Sequence, residues 1–286
     1  MGKRDNKKIL HSDDAVVGII TAILIVGLFV TIFASVQTVY VPQWMEENEA
    51  NHLQEVKNQF MQLKFALDIQ VYSPSSSEMK LTTPITLGSE KVPYFLSEKS
   101  YGEIKIEEEA FQIEITGNES SFDESLNSLY YQSQNSYYPD QRFTYETGGV
   151  ILSQSEGSIL VSAPFFSITE NDGNISIDWT MVNVTTIGGK SSSHGTSTCS
   201  ILTQYENNSE FFIQNISTMQ LTTTYPIVWK RYLNATLTDT SLVYNSDYTL
   251  STDSDSLTLD FLTDKLVNCN LSKVNVITQI DPGWII

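Results

Sequence analysis

Three histidines, His11, His52 and His194, are the only imidazoles in the chain, so acid–base chemistry near neutral pH has few side chains to draw on. Ser193-His194 sets a hydroxyl beside an imidazole. A catalytic triad, however, is assembled in space and not by adjacency, and no G-x-S-x-G elbow is present. "GGKSS" at 188–192 ends like a phosphate-binding loop, but the leading glycine would have to stand at Val184, and the reading fails. Acids gather at Asp247, Asp253 and Asp255, and again at Asp172 and Asp178, without the spacing of a calcium loop; they read as solvated turn residues. Tyr130, Tyr131, Tyr137 and Tyr138 in "SLYYQSQNSYYPDQ" form an aromatic patch suited to a glycan or a neighbouring subunit, or to alternate insertion into a core. The sequence therefore nominates no catalytic residue, no metal ligand, no cofactor and no small-molecule substrate.

Cys199 and Cys269 permit a single internal disulfide in an exported protein; two buried free thiols are the alternative. Neither cysteine has the close Cys or His neighbours of a zinc site. The formal net charge of −18 falls wholly after residue 14, because Lys3, Arg4, Lys7 and Lys8 outnumber the acids of the first residues. Such acidity disfavours a nucleic-acid partner and fits a solvated surface. With 41% hydrophobic and 17% charged residues, the 286-residue chain can build a real core.

The elements that would carry such a surface begin with "HSDDAVVGIITAILIVGLFVTIFASVQTVY" from His11. Ala15 to Val36 is uncharged and long enough to span about 30 Å of hydrocarbon as a helix, longer than the core of a cleaved secretory signal. The basic head places the N-terminus in the cytoplasm, and Tyr40 and Trp44 stand where interfacial aromatics belong. Gly18 and Ala22, one turn apart, allow another helix to approach closely. After Pro42, which either starts a second helix or kinks a continuous one, Leu53, Val56, Phe60, Leu63 and Leu67 make an apolar stripe. Its distal half is expected to pack on the following domain. Glu46, Glu47 and Glu49 would favour the first turns of such a helix.

From Tyr72 onward, short alternating runs replace the helical pattern: Phe111, Ile113, Ile115; Ile175, Ile177, Trp179, Met181; Leu257, Leu259, Phe261. "FFSITENDGNISIDW" reads as a hairpin turning at Asp172-Gly173. The expected fold is α+β: a basic leader (1–14), a transmembrane helix (15–40), an amphipathic stalk (43–71) and an antiparallel, sandwich-like β domain (72–286), with "YSPSSSE" as the joint. Sequons for N-glycosylation stand at Asn118, Asn174, Asn183, Asn207, Asn215, Asn234 and Asn270, all on the side expected to face outward.

A short basic leader, an apolar helix continuing into an amphipathic one, and a β-rich head together resemble type IV pilins and pseudopilins. "SDDAVVGIITAILIV" is similar to the N-termini of archaeal pilin-like proteins, and "YYQSQNSYYPDQRFTYETGGVILSQSEGSIL" to a segment of archaeal pilin-like surface proteins. The resemblance implies cleavage by a membrane peptidase between Asp14 and Ala15, and assembly with homologous subunits by an ATPase and a membrane platform protein. Asp13-Asp14 replace the basic residue often found beside such a cut, and Ile19 stands where bacterial pilins carry Glu. The expectation is a non-enzymatic, single-pass surface protein held by membrane lipid and able to assemble through its helix. The competing expectation is a static anchor displaying a β domain that binds a glycan, a cell-wall component or a protein.

Overall fold

The computed structural model describes residues 10–72, 79–89, 100–118, 120–171, 173–186, 188 and 190–281, with side chains from Val16 onward. The basic residues Lys3, Arg4, Lys7 and Lys8, most of the "YSPSSSE" joint, and Asp172 lie outside the described residues, as do the side chains of Asp14 and Ala15.

The helix does not break at Pro42. Helix α1 (Leu10–Ser35) passes through one π turn (Val36–Tyr40) into α2 (Val41–Tyr72). A proline has no N–H to donate and its ring crowds the carbonyl four residues back, here that of Thr38. The wider π turn, in which the Val41 N–H donates to the Val36 carbonyl, sits where that crowding must be relieved. From Val16 to Tyr72 the helix counts 57 residues, about 85 Å at the usual rise. Glu46, Glu47 and Glu49 therefore stand in a helix interior and not at a helix start, which overturns the dipole reading of these acids.

The head contains fourteen strands and one further helix among the described residues. The chain first forms β1 (Lys80–Thr86), β2 (Tyr101–Gly117), β3 (Ser121–Gln134), β4 (Arg142–Glu146), β5 (Gly149–Gln154) and β6 (Gly157–Ser162). It continues through β7 (Phe165–Asn171), β8 (Asn174–Thr185), β9 (Ser192–Gly195), β10 (Thr198–Ile213) and β11 (Ile216–Thr223). Helix α3 (Pro226–Asp239) precedes β12 (Tyr248–Thr252), β13 (Ser256–Phe261) and β14 (Leu266–Ile280). Five strands pair in the order β1-β10-β14-β8-β7; the others form a nine-stranded sheet, β12-β13-β11-β2-β3-β4-β5-β6, with β9 added beside β2.

The α+β expectation holds, and so does the hairpin at Gly173, where β7 and β8 pair antiparallel. One pairing is parallel, that of β8 with β14. Helix α3 was not foreseen, because its apolar positions Val228, Trp229, Leu233 and Leu237 are separated by ordinary polar residues over only 14 positions.

Two cores share these sheets. On β8, Ile175, Ile177, Trp179 and Met181 enter one core, whereas Val182 and Val184 enter the other. Successive strand residues point to opposite faces, so the cores lie on opposite faces of the five-stranded sheet. Strand β14 repeats the switch, from Val267, Cys269 and Leu271 to Val274, Val276 and Ile280, as does β3 from Phe122 and Leu126 to Leu129 and Tyr131. The sheets thus cross. At the crossing, the Asn183 side-chain carbonyl accepts from the Asn127 backbone N–H at 2.8 Å, and Asn127 Nδ2 donates to the Val184 carbonyl at 2.9 Å. Asn183 Nδ2 donates in turn to Asn275, and Asn275 Nδ2 to Asn207, at 2.9 and 2.7 Å. This amide chain satisfies buried polar groups where neither core reaches.

The core nearer α1 is built around α2: Leu53, Val56, Phe60, Leu63 and Leu67 are all buried there. The distal half of the stripe packs on the head, as expected. Helix α2 packs along β1 and β10, with His52 facing the Thr86 carbonyl and Gln70 reaching the Thr203 carbonyl and the Tyr205 N–H. The second core, closed by α3, extends past the end of α2. Phe60 is 1% exposed and packs against Phe143 at 6.0 Å between ring centroids. Phe60→Ala should lower the unfolding free energy by about 3–5 kcal/mol in urea titrations of the whole protein.

Candidate anchoring and assembly surface

From Val16 to Tyr40 no side chain of the helix is buried. Apolar side chains from Val16 to Phe33 are about half to two-thirds exposed, on every side of the helix. A helix apolar all round belongs inside a core or a bilayer, and here no core covers it. It is one helix long and apolar enough to cross a membrane.

Hydrocarbon offers no hydrogen bonds, so polar groups in such a segment must be satisfied internally. Thr21, Thr31, Ser35 and Thr38 each donate to the carbonyl four residues back, on Val17, Gly27, Thr31 and Ala34, at 2.8–2.9 Å. Small residues form two stripes. Gly18 and Ala22 lie on one face; Gly27, Thr31 and Ser35, at the same four-residue spacing, lie on the opposite face by helical periodicity. A side chain added at Gly18 or Gly27 would meet nothing within 4 Å, so both faces are open to a neighbour.

The change of environment is abrupt. Tyr40 and Trp44 pair at 6.2 Å on the outside of the helix, while Val41 and Met45 are buried. One turn later the buried Glu49 carboxylate accepts three backbone N–H groups, from Ser136 at 3.0 Å, Tyr137 at 2.8 Å and Tyr138 at 2.7 Å. Charge-assisted bonds of this kind are the strong ones, and they fasten the loop after β3 to the point where the helix leaves the head. Sequence reasoning gave Glu49 a place at a helix start and missed this role, although the residue occupies the same helical face as Met45 and Leu53, one turn from each. The tyrosine patch is thereby resolved: Tyr130 and Tyr131 are buried, Tyr137 is exposed, and Tyr138 packs against the core around α2. Glu49→Ala should speed amide hydrogen exchange at Ser136, Tyr137 and Tyr138 by tenfold or more, while strands distant from the loop keep their protection.

Elsewhere the head disperses the residues singled out for chemistry. Ser193 and His194 are neighbours on β9 and face opposite ways; Ser193 donates to Asp281 at 2.7 Å. Burial raises the Asp281 carboxyl, but bonds from Lys190, Ser193 and the Ser200 N–H outweigh it and hold the group down to about 2. Asp247 caps its own turn through the Val243 N–H, and Asp253 accepts from the Ser254 N–H. Among the described residues, no three His, Cys, Asp or Glu side chains are grouped as a metal site.

Cys199 and Cys269 are buried free thiols, and the disulfide alternative is overturned. Cys199 is the second residue of the 16-residue β10, whereas Cys269 pairs with Ile213 at its far end, on the order of 45 Å away along the strand. Burial pushes both thiols up to about 12. Of the sequons, Asn183 is buried in the amide chain. Asn118, Asn174, Asn207, Asn234 and Asn270 are exposed, and Asn215 is partly so.

A cleft of about 750 Å³ opens at the start of α3, between Tyr225, Ile227 and Arg231 on one side and Leu152, Gly157 and Ile159 on the other. Beneath α3 lies Glu146, which accepts from Thr223 Oγ1 at 2.8 Å and from Trp229 Nε1 at 2.5 Å. Complete burial raises this carboxyl to about 7, against the opposing effect of the two donors. An acid raised in the fold is bound neutral. Its contribution to stability is full below the unfolded value of 4.5 and is lost as pH rises through about 7. Glu146→Gln should match the parent protein at pH 4 and exceed it at pH 8 by on the order of 3 kcal/mol, read from paired denaturation curves.

No protein-family model matches the chain, and neither a characterised protein nor a solved structure matches it significantly.

Proposed function

We propose that this chain is a non-enzymatic, membrane-anchored surface protein of the type IV pilin-like kind, whose N-terminal helix serves first as an anchor and then as an assembly element. One observation carries the reading: a single uninterrupted helix is apolar and uncovered over its first half and built into the head's core over its second. A cleavable or loosely tethered anchor needs no such continuity. The basic residues before Leu10 favour a cytoplasmic N-terminus and an outward head.

In this reading, the apolar half leaves lipid by exchanging it for equivalent helices. Its backbone and hydroxyls are already bonded within the helix, so the transfer breaks no hydrogen bond. Head-to-tail assembly requires two different faces on each subunit. The Gly18–Ala22 stripe and the Gly27–Thr31–Ser35 stripe supply them.

Intact mass of the protein recovered from cells containing a prepilin peptidase should show loss of residues 1–14. An untrimmed N-terminus would remove the processing step from the proposal. Sheared surface fractions should contain the parent protein, and Gly18→Leu should retain it in the membrane fraction with an unchanged head. Recovery of the parent protein only in membranes would favour the static anchor, with the cleft at α3 as the displayed feature.

A further inference from the structure

The face of the five-stranded sheet that carries α2 changes character where the helix stops. Under α2 its residues are apolar: Val182, Val184, Ile201, Val274 and Val276. Beyond Tyr72 the same face turns polar and open, with Asp178, Glu210 and Asn270 exposed and Ser176, Thr180, Asn268 and Ser272 partly so. That is the pattern of a sheet face left to solvent. Phe212 departs from it: the ring is 55% exposed in the middle of this polar field. A single exposed aromatic is unremarkable by itself. Its partner makes the difference, because Phe212 stands directly opposite Asn270 in the β10–β14 register.

Asn270 is the acceptor of an Asn-Leu-Ser sequon, and its side chain shares a sheet face with Phe212. On its other side, Asn270 pairs in register with Asp178 and donates Nδ2–H to Asp178 Oδ1 at 2.7 Å. A cleft of about 370 Å³ surrounds the pair, lined by Asp178, Thr180, Glu210, Phe212, Asn270 and Ser272. Among the described sequons, Asn183 is consumed in the amide chain, Asn207 accepts from Asn275, and Asn234 accepts from the Tyr248 hydroxyl.

We infer that Asn270 carries an N-linked glycan whose first sugar lies on the Phe212 ring and covers the sheet face that α2 leaves bare. The donor is a sugar linked through phosphate to a polyprenyl lipid. Asn270 Nδ2 forms the bond to the anomeric carbon, the sugar–phosphate bond breaks, the lipid phosphate departs, and one amide proton passes to the transferase base. The second amide proton remains and continues to donate to Asp178, which holds the linkage in the plane of the sheet. The sugar's C–H face then meets the aromatic face, and its hydroxyls meet Glu210, Thr180 and Ser272. Because β14 is paired on both sides, by β10 and β8, the transfer precedes closure of the sheet.

The inference rests on the surface-protein reading above, since the donor is met only on the outer side of the membrane. The test uses full-length protein isolated from cells that possess an N-glycosylation pathway. Trypsin cuts after Lys265 and Lys273, so residues 266–273 are released as one peptide. Mass spectrometry should find a glycan on Asn270 in that peptide, and fragmentation of the 143–190 peptide, which carries both the Asn174 and Asn183 sequons, should find none on Asn183. Phe212→Ala should lower the Tm of the glycosylated protein by about 2–4 °C, and should leave unchanged the Tm of an Asn270→Gln protein lacking the glycan. An unmodified Asn270 overturns the inference, as does an equal Phe212→Ala effect with and without the glycan. Protease accessibility of the head on intact cells separates the two failures. A shaved head with a bare Asn270 defeats the glycan alone, whereas a protected head defeats the surface reading with it.

Discussion

Leu53, Val56, Phe60, Leu63 and Leu67 belong at once to the long helix and to the interior of the head, and the rest of the architecture depends on that shared ownership. Burying five large apolar side chains contributes on the order of 10 kcal/mol, comparable to the whole stability of a domain. The helix therefore cannot swing free of the sheets without unfolding them. Any force or displacement on the apolar half reaches the head through a continuous rod, stiffened at its exit by the three bonds that the Glu49 carboxylate accepts.

The crossing of the two sheets follows from the same constraint. One face of the five-stranded sheet is taken by α2, so the second core must form on the other face, where the nine-stranded sheet and α3 cover it. At the crossing point neither core can bury the strands. The chain Asn127–Asn183–Asn275–Asn207 fills that place with amides, each of which can donate and accept. The same need for internal satisfaction governs the apolar half of the helix, where threonine and serine hydroxyls turn back onto their own backbone.

Titratable groups placed in these interiors have narrow tolerances. Burial raises Glu146 to about 7 against the bonds it accepts from Thr223 and Trp229, which tie α3 to the end of β4. His52 Nε2–H donates to the Thr86 carbonyl, and burial lowers the imidazole pKa despite that bond and the nearby Glu55 and Glu49. An imidazole that is neutral in the fold costs stability once pH falls below its unfolded value of 6.5, whereas Glu146 costs stability as pH rises through about 7. The two groups oppose each other, His52 weakening the fold on the acid side and Glu146 weakening it as pH rises from 4.5 through about 7.

Much of this was legible in the sequence because it depends on periodicity alone. Fixed backbone geometry means that Ala15–Val36 must be helical to satisfy its own amides in an apolar medium, that 53–67 must present one face, and that 111–115, 175–181 and 257–261 must alternate. What lay beyond periodicity was decided by contacts between distant segments. A residue pattern does not say that Pro42 is absorbed by a π turn, that Glu49 leaves the solvated acids to bind a loop nearly ninety residues away, or that Cys269 on β14 faces the end of β10 far from Cys199. Nor does it show that Asn183 is locked in a polar seam while Asn270 lies open beside Phe212. Local geometry repeats along the chain and can be read from it. Pairing register and burial are set by segments far apart in sequence, and only folding brings those together.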